Sequence, residues 1–117
     1  MENINNNENK LLFMVKFFKD NINWNNLLEE KTVPEEIIRY CKDIIDWEAV
    51  SEYQTLSEDF IREFQDKVDW SYISMKQTLS EDFIKKFHDR VNWKNIFKYQ
   101  TLSNEFIKKF KYKNISI

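Results

Sequence analysis

Few side chains in this sequence have the type and spacing that chemistry requires. Two carboxylate pairs, Glu58-Asp59 and Glu81-Asp82, have the composition of an acid/base dyad. Adjacent residues on a helix do not face each other, so neither pair can grip one substrate atom. Acids at a helix start answer instead to the positive end of the helix dipole. Asp20, Asp43, Asp66 and Asp89 are metal ligands by type, but they stand 23 residues apart. Each is expected to cap a turn, side chain to backbone N–H. One histidine, His88, and one cysteine, Cys41, cannot build a Cys/His zinc cluster or a disulfide. With no glycine in the chain, phosphate-cradling loops, dinucleotide fingerprints and nucleophile elbows are excluded, because each needs glycine where the backbone turns sharply or meets a ligand. The expectation is a protein with no catalytic, cofactor-binding or metal-binding residues, not an enzyme.

The elements that hold these residues follow from an internal repeat. Trp24, Trp47, Trp70 and Trp93 are spaced by 23 residues each time. Around them QTLSEDFIREFQDKVDW (54–70) returns as QTLSEDFIKKFHDRVNW (77–93), and QTLSNEFIKKF starts a further copy at Gln100. Before each Trp stand Asn23, Asp46, Asp69 and Asn92; two before stand Ile22, Ile45, Val68 and Val91. A period of this length marks a solenoid or related array.

Each copy reads as two short helices. In the third, Ser57 is placed to N-cap a helix that carries Phe60, Ile61 and Phe64 on one face. Asp69 caps a second helix that opens at Trp70, and Gln77-Thr78 leads out of it. In the second copy Pro34 replaces the serine, at a position where a missing N–H costs little. Helices this short are marginal alone and need packing on neighbours. The fold class expected is all-α: a short α-solenoid of about four and a half 23-residue helix-turn-helix repeats. The units are residues 11–33, 34–56, 57–79, 80–102 and a partial 103–117, in a single domain (11–117). Residues 11–18 read as the second half of a repeat whose first half is lacking. Residues 1–10, with five asparagines, read as a disordered or loose arm, and 111–117 as a frayed or capping end.

Columns that repeat have structural expectations. Gln54, Gln77 and Gln100 should form a hydrogen-bond ladder between copies. The indole N–H groups should find loop carbonyls. Ser51 and Ser74 should let helices approach. Cys41 stands where other copies have Phe and is an inert core residue; His88 is a surface residue.

Columns that vary are where recognition should lie. They place Tyr53, Tyr72, Met75, Lys76, Lys94, Lys98 and Tyr99 on an outer surface, as partner-binding candidates of the kind enriched at interface centres. Charge is uneven: residues 1–58 hold 12 acidic and 6 basic side chains (−6), and residues 59–117 hold 8 and 12 (+4), for the net −2. The basic half, with Lys85, Lys86, Lys108 and Lys109 and also Arg62, Arg90, Lys94, Lys98, Lys111 and Lys113, offers nucleic-acid binding as a lesser alternative. Self-association through the unlike halves is a third. No run of 18 apolar residues is present, so no membrane span is expected, and a lone cysteine fits a reducing cytoplasm.

The pattern W-x-x-I/V-S…Q-T-L-S-E-D-F-I-x-x-F-x-D-x-V-D/N-W resembles a short tandem repeat of uncharacterised proteins from giant DNA viruses, and from phages and their low-GC hosts. The resemblance spans about residues 11–110 and carries no catalytic motif. It implies a virus- or phage-encoded protein-interaction module, with a host protein as partner. One concrete version is an inhibitor of a host defence factor such as a CRISPR nuclease, acting in the host cytoplasm.

Overall fold

The computed structural model describes residues 6–114, leaving aside the side chains of residues 6–8, 11 and 112–114. Among the described residues there are nine α-helices and no strand. They are α1 (Asn6–Phe18), α2 (Trp24–Glu30), α3 (Glu35–Tyr40), α4 (Trp47–Tyr53), α5 (Glu58–Glu63), α6 (Trp70–Lys76), α7 (Glu81–Lys86), α8 (Trp93–Tyr99) and α9 (Asn104–Asn114), with a 3₁₀ turn (Lys19–Asn21) after α1. The fold is an all-α repeat solenoid. Its radius of gyration is 16.7 Å and its extents are 51 × 30 × 21 Å. A compact chain of this length would have a radius near ~13 Å, so the molecule is a short rod.

Local sequence explains where each helix starts. The residue before each Trp caps the Trp helix: Asn23 accepts from Asn26 N–H, Asp46 from Glu48 and Ala49, Asp69 from Tyr72, and Asn92 from Asn95. Ser57, Ser80 and Ser103 each accept from the N–H three residues on, which starts α5, α7 and α9. The expected turn caps at Asp20, Asp43, Asp66 and Asp89 do not form among the described residues. The 64–68 and 87–91 turns are closed by backbone bonds instead, Val68 N–H to Phe64 and Val91 N–H to Phe87. That leaves Asp66 free to pair with Arg90 of the next copy at 2.7 Å.

The Trp helices α2, α4, α6 and α8 pack side by side in sequence, each on the next. Their companions α3, α5, α7 and α9 form a second layer, with α1 in the companion place at the N-terminal end. Between the layers lies one continuous core, whose fully enclosed members include Leu28, Ile38, Val50, Ile61, Ile73, Ile84 and Ile96. In three of the four copies the indole lies on the rings of the following companion helix; after Trp24 those places hold Ile37 and Cys41. Trp47 faces Phe60 at 6.0 Å and Phe64 at 4.9 Å, Trp70 faces Phe83 and Phe87, and Trp93 faces Phe106 and Phe110. Such ring pairs contribute about 0.5–1.5 kcal/mol each beyond area burial. The indole N–H of Trp24, Trp47, Trp70 and Trp93 donates to the carbonyl five residues back in every copy, at 2.8–3.0 Å. Trp24 and Trp93 are buried, while Trp47 and Trp70 keep an edge in water. Cys41 is buried in the Phe place, and burial pushes its thiol up from the ordinary value.

Two polar ladders tie copy to copy. Gln77 Oε1 accepts from Leu56 N–H, and its amide donates to Ser51 and Gln54 carbonyls; Gln54 and Gln100 repeat the same three bonds one copy before and after. Gln54 and Gln77 are buried, so the ladder satisfies loop groups that water does not reach. In the second ladder Glu35, Glu58 and Glu81 each accept from both the backbone N–H and the hydroxyl of the next copy's Ser57, Ser80 or Ser103. The buried Ser51 and Ser74 do more than allow close approach: their hydroxyls accept from Asp69 and Asn92 N–H.

Two departures from the repeat fall on this second ladder. Pro34, without an N–H or hydroxyl, pairs in register with Leu12, which has no carboxylate. Asn104 stands in the register place of the ladder glutamate.

The helix α1 begins within the segment expected to be a loose arm, so residues 6–10 are helical. The rest of that arm, 1–5, lies outside the described residues. Within the segment expected to be a frayed or capping end, α9 continues past Phe110 to Asn114, and 115–117 lie outside the described residues.

Candidate functional site

Most repeat-invariant side chains are spent on the ladders and the core, while Thr55, Thr78 and Thr101 recur and stay exposed. What remains for solvent on the Trp layer is the set of positions that vary. On α2 these are Asn25, Asn26, Glu29 and Glu30; on α4, Glu48, Glu52 and Tyr53. On α6 they are Ser71, Tyr72, Met75 and Lys76; on α8, Lys94, Asn95, Lys98 and Tyr99. A 3.6-residue period places the first, fifth and sixth positions after each Trp on one side of a seven-residue helix, and side-by-side stacking aligns those positions into columns.

The structure brings Tyr53 and Tyr72 together from adjacent helices. Glu52 lies beside both phenols and, with Glu29, holds the Tyr53 hydroxyl above its ordinary value. Glu52, burial and Glu48 do the same for Tyr72. Tyr53 and Tyr99 are 45% and 47% exposed, whereas Tyr72 and Met75 are half-buried. Lys98 lies over the Tyr99 ring at 5.2 Å, and Lys76 and Lys94 are exposed. Asn95 and Asn92 bridge α8 to Ser71 of α6. The candidates therefore divide into a tyrosine-acid cluster on α4 and α6 and a lysine-tyrosine end on α8, with Lys76 and Met75 between.

Glu29, Glu48 and Glu52 were not singled out by the sequence reading. The signal was present in the same columns: the first and fifth positions after each Trp run Asn25-Glu48-Ser71-Lys94 and Glu29-Glu52-Met75-Lys98. Read across copies, the fifth-position column passes from acid to base, and the first-position column does so from Glu48 to Lys94. Compared with protein-family models, curated proteins and solved structures, this chain matches none. The geometry of this face must therefore carry any functional reading.

The lysines proposed for nucleic acid do not share one face. Lys85, Lys86, Lys108 and Lys109 stand on the companion layer, and Lys94 and Lys98 on the Trp layer. Arg62 and Arg90 are engaged with Asp59 and Asp66; the side chain of Lys113 lies outside the described residues. No group of three or more His, Cys, Asp or Glu gathers among the described residues as a metal site would need, and His88 is exposed. Among the described residues no helix is long and apolar enough to cross a membrane.

Proposed function

We propose that this chain is a non-enzymatic protein-recognition module, and that its contact face is the solvent side of the Trp helices. One observation carries this: the variable positions of the Trp helices line up there, and they hold tyrosines flanked by opposite charges. Tyrosine brings large, stiff contact area with a polar tip, which suits the centre of an interface. Glu29, Glu48 and Glu52 around Tyr53 and Tyr72 favour a Lys- or Arg-bearing surface, and Lys94 and Lys98 an acidic one. A partner with both signs is a protein surface; a polyanion would be repelled by the first half of the same face. The resemblance to virus and phage repeats supports a finer version, in which the partner is a host factor such as a CRISPR nuclease.

The test is affinity capture with the parent chain and with a Tyr53→Ala/Tyr72→Ala/Lys98→Glu variant of equal helicity. A protein held by the parent and lost from the variant supports the face. An identical profile from both, or an empty one, counts against it.

A further inference from the structure

The copies do not hold one another equally. Between α3–α4 and α5–α6 run the Gln77 rung, the Glu35–Ser57 rung and the bond from Asp69 N–H to the Ser51 hydroxyl. Across the same seam Trp47 lies on Phe60 and Phe64, and the Arg39 guanidinium reaches Glu63 at 2.8 Å. The next seam repeats all of these. It has the Gln100 rung, Glu58 on Ser80, Asn92 N–H on Ser74, Trp70 on Phe83 and Phe87, and Arg90 on Asp66.

The seam between α1–α2 and α3–α4 keeps only the first. Gln54 bonds Val33 N–H and the carbonyls of Leu28 and Lys31. Leu12 and Pro34 cannot form the glutamate–serine rung, and Leu28 stands where the bonding serine stands in the next two copies. Ile37 and Cys41 hold the places of the two Phe rings after Trp24. Among the described residues no ion pair crosses this seam. Lys16 and Lys19 reach across it to the Tyr40 ring at 6.0 and 5.4 Å, an exposed contact that water weakens. In a repeat row, stability is a sum of terms within copies and between neighbours. The seam with the fewest such terms is the one that parts below the global transition.

We propose that the row opens at this seam, with α1 and α2 leaving together while α3–α9 stay folded. The Trp24 indole N–H, bonded to the Lys19 carbonyl at 3.0 Å, ties α2 to the turn that follows α1, so the two part as a unit. Helices this short do not persist alone, so they unfold as they part. Opening also has a consequence for the Trp-layer face. α2 brings Glu29 beside Tyr53, so the acidic half of that face is complete only in the closed row. The opening itself does not rest on the role proposed for the face, and either can fail without the other.

Cys41, the one cysteine of the chain, reads the opening directly. It is 2% exposed, and by register it faces Trp24 as Phe64 faces Trp47. Labelling of the native full chain with dithiobis-nitrobenzoic acid at low urea concentrations should be at least about tenfold faster than global unfolding permits. The rate should rise with urea, but less steeply than for the global transition, because only two helices are exposed. Ser80→Ala weakens an interior seam and should leave labelling in water unchanged. Leu12→Glu/Pro34→Ser rebuilds the missing rung and should label about fivefold more slowly than Leu12→Glu alone. In hydrogen exchange of the same chain, α1 and α2 amides should exchange together and ahead of those in α4, α6 and α8. Labelling that follows global unfolding at every urea concentration and speeds up with Ser80→Ala would overturn the proposal. So would labelling indifferent to urea, which would assign the exposure to a local motion of the 41–45 turn. A double variant no slower than Leu12→Glu, or α1 and α2 exchanging no sooner than α4, would overturn it as well.

Discussion

At its C-terminal end the row finishes on α9, with Glu105, Lys108, Lys109 and Lys111 in water and Phe106 and Phe110 against Trp93. At its N-terminal end α1 puts Phe13, Met14, Phe17 and Phe18 in water instead. Both helices hold the same place in the repeat, and both lack the ladder glutamate, with Leu12 on α1 and Asn104 on α9 in its place. One turns charge to water and the other rings. The same polarity runs along the companion layer. Arg39 of α3 reaches Glu63 of α5 at 2.8 Å, but one copy later the same register holds Arg62 and Lys86, and Arg62 turns back to Asp59. The repeat therefore fixes the stacking, while unlike substitutions at equivalent positions give each end its own chemistry.

Equivalent substitutions at interior and edge positions sharpen that contrast. Phe60→Ala should cost about 3–5 kcal/mol, because its ring is enclosed against Trp47. Met14→Ala, at the same register on α1, should cost under ~0.5 kcal/mol; urea unfolding measures both. Gln77→Ala strands three buried backbone groups and should cost about 2–3 kcal/mol. Lys31→Ala, at the place before the ladder begins, should change stability by less than ~0.5 kcal/mol, as read by thermal melts. Ser80→Ala removes a cap and a ladder rung and should cost about 1 kcal/mol. Pro34→Ser should recover no comparable rung, because Leu12 offers no carboxylate; a gain there as large as the loss at Ser80→Ala in chemical denaturation would erase the difference.

The smallest expected effect is a pH dependence. The Arg39 guanidinium holds the Glu63 carboxyl below its ordinary value. A carboxyl lowered in the folded state adds stability that is present above its unfolded pKa and lost as pH falls through the folded one. Melting temperature should therefore fall more steeply on acidification in the parent than in Arg39→Gln, and parallel curves would show that the pair adds nothing.

The architecture was legible because the 23-residue spacing of Trp24, Trp47, Trp70 and Trp93 leaves few ways to bury an indole repeatedly. The glutamine ladder and the indole donors were legible for a similar reason: a polar group recurring beside a core column needs a partner in the next copy. The glutamate–serine ladder was hidden because Glu58 and Glu81 already had a local reason to stand at a helix start. Asp66 misled in the same way, since a turn aspartate suggests a cap until backbone bonds are seen to close the turn. Of the candidate surface, Tyr53 and Tyr72 were readable as variable positions, but their shared glutamates require knowing that α2, α4 and α6 lie side by side. Asparagine-rich composition obscured the start of α1, because the described residues that anchor this helix to the core, Leu12 and Val15, lie past the asparagine-rich segment.

The account rests on the indoles of Trp47, Trp70 and Trp93 being held by the rings of the next copy. A double-mutant cycle on Trp47→Ala and Phe64→Ala, with Trp47→Ala and Phe87→Ala as the distant control, tests this most directly. Equilibrium unfolding should show a coupling of about 0.5–1.5 kcal/mol for the first pair and additivity within ~0.5 kcal/mol for the second. Additive losses in both pairs, or a Trp47→Ala variant as stable as the parent, would contradict it.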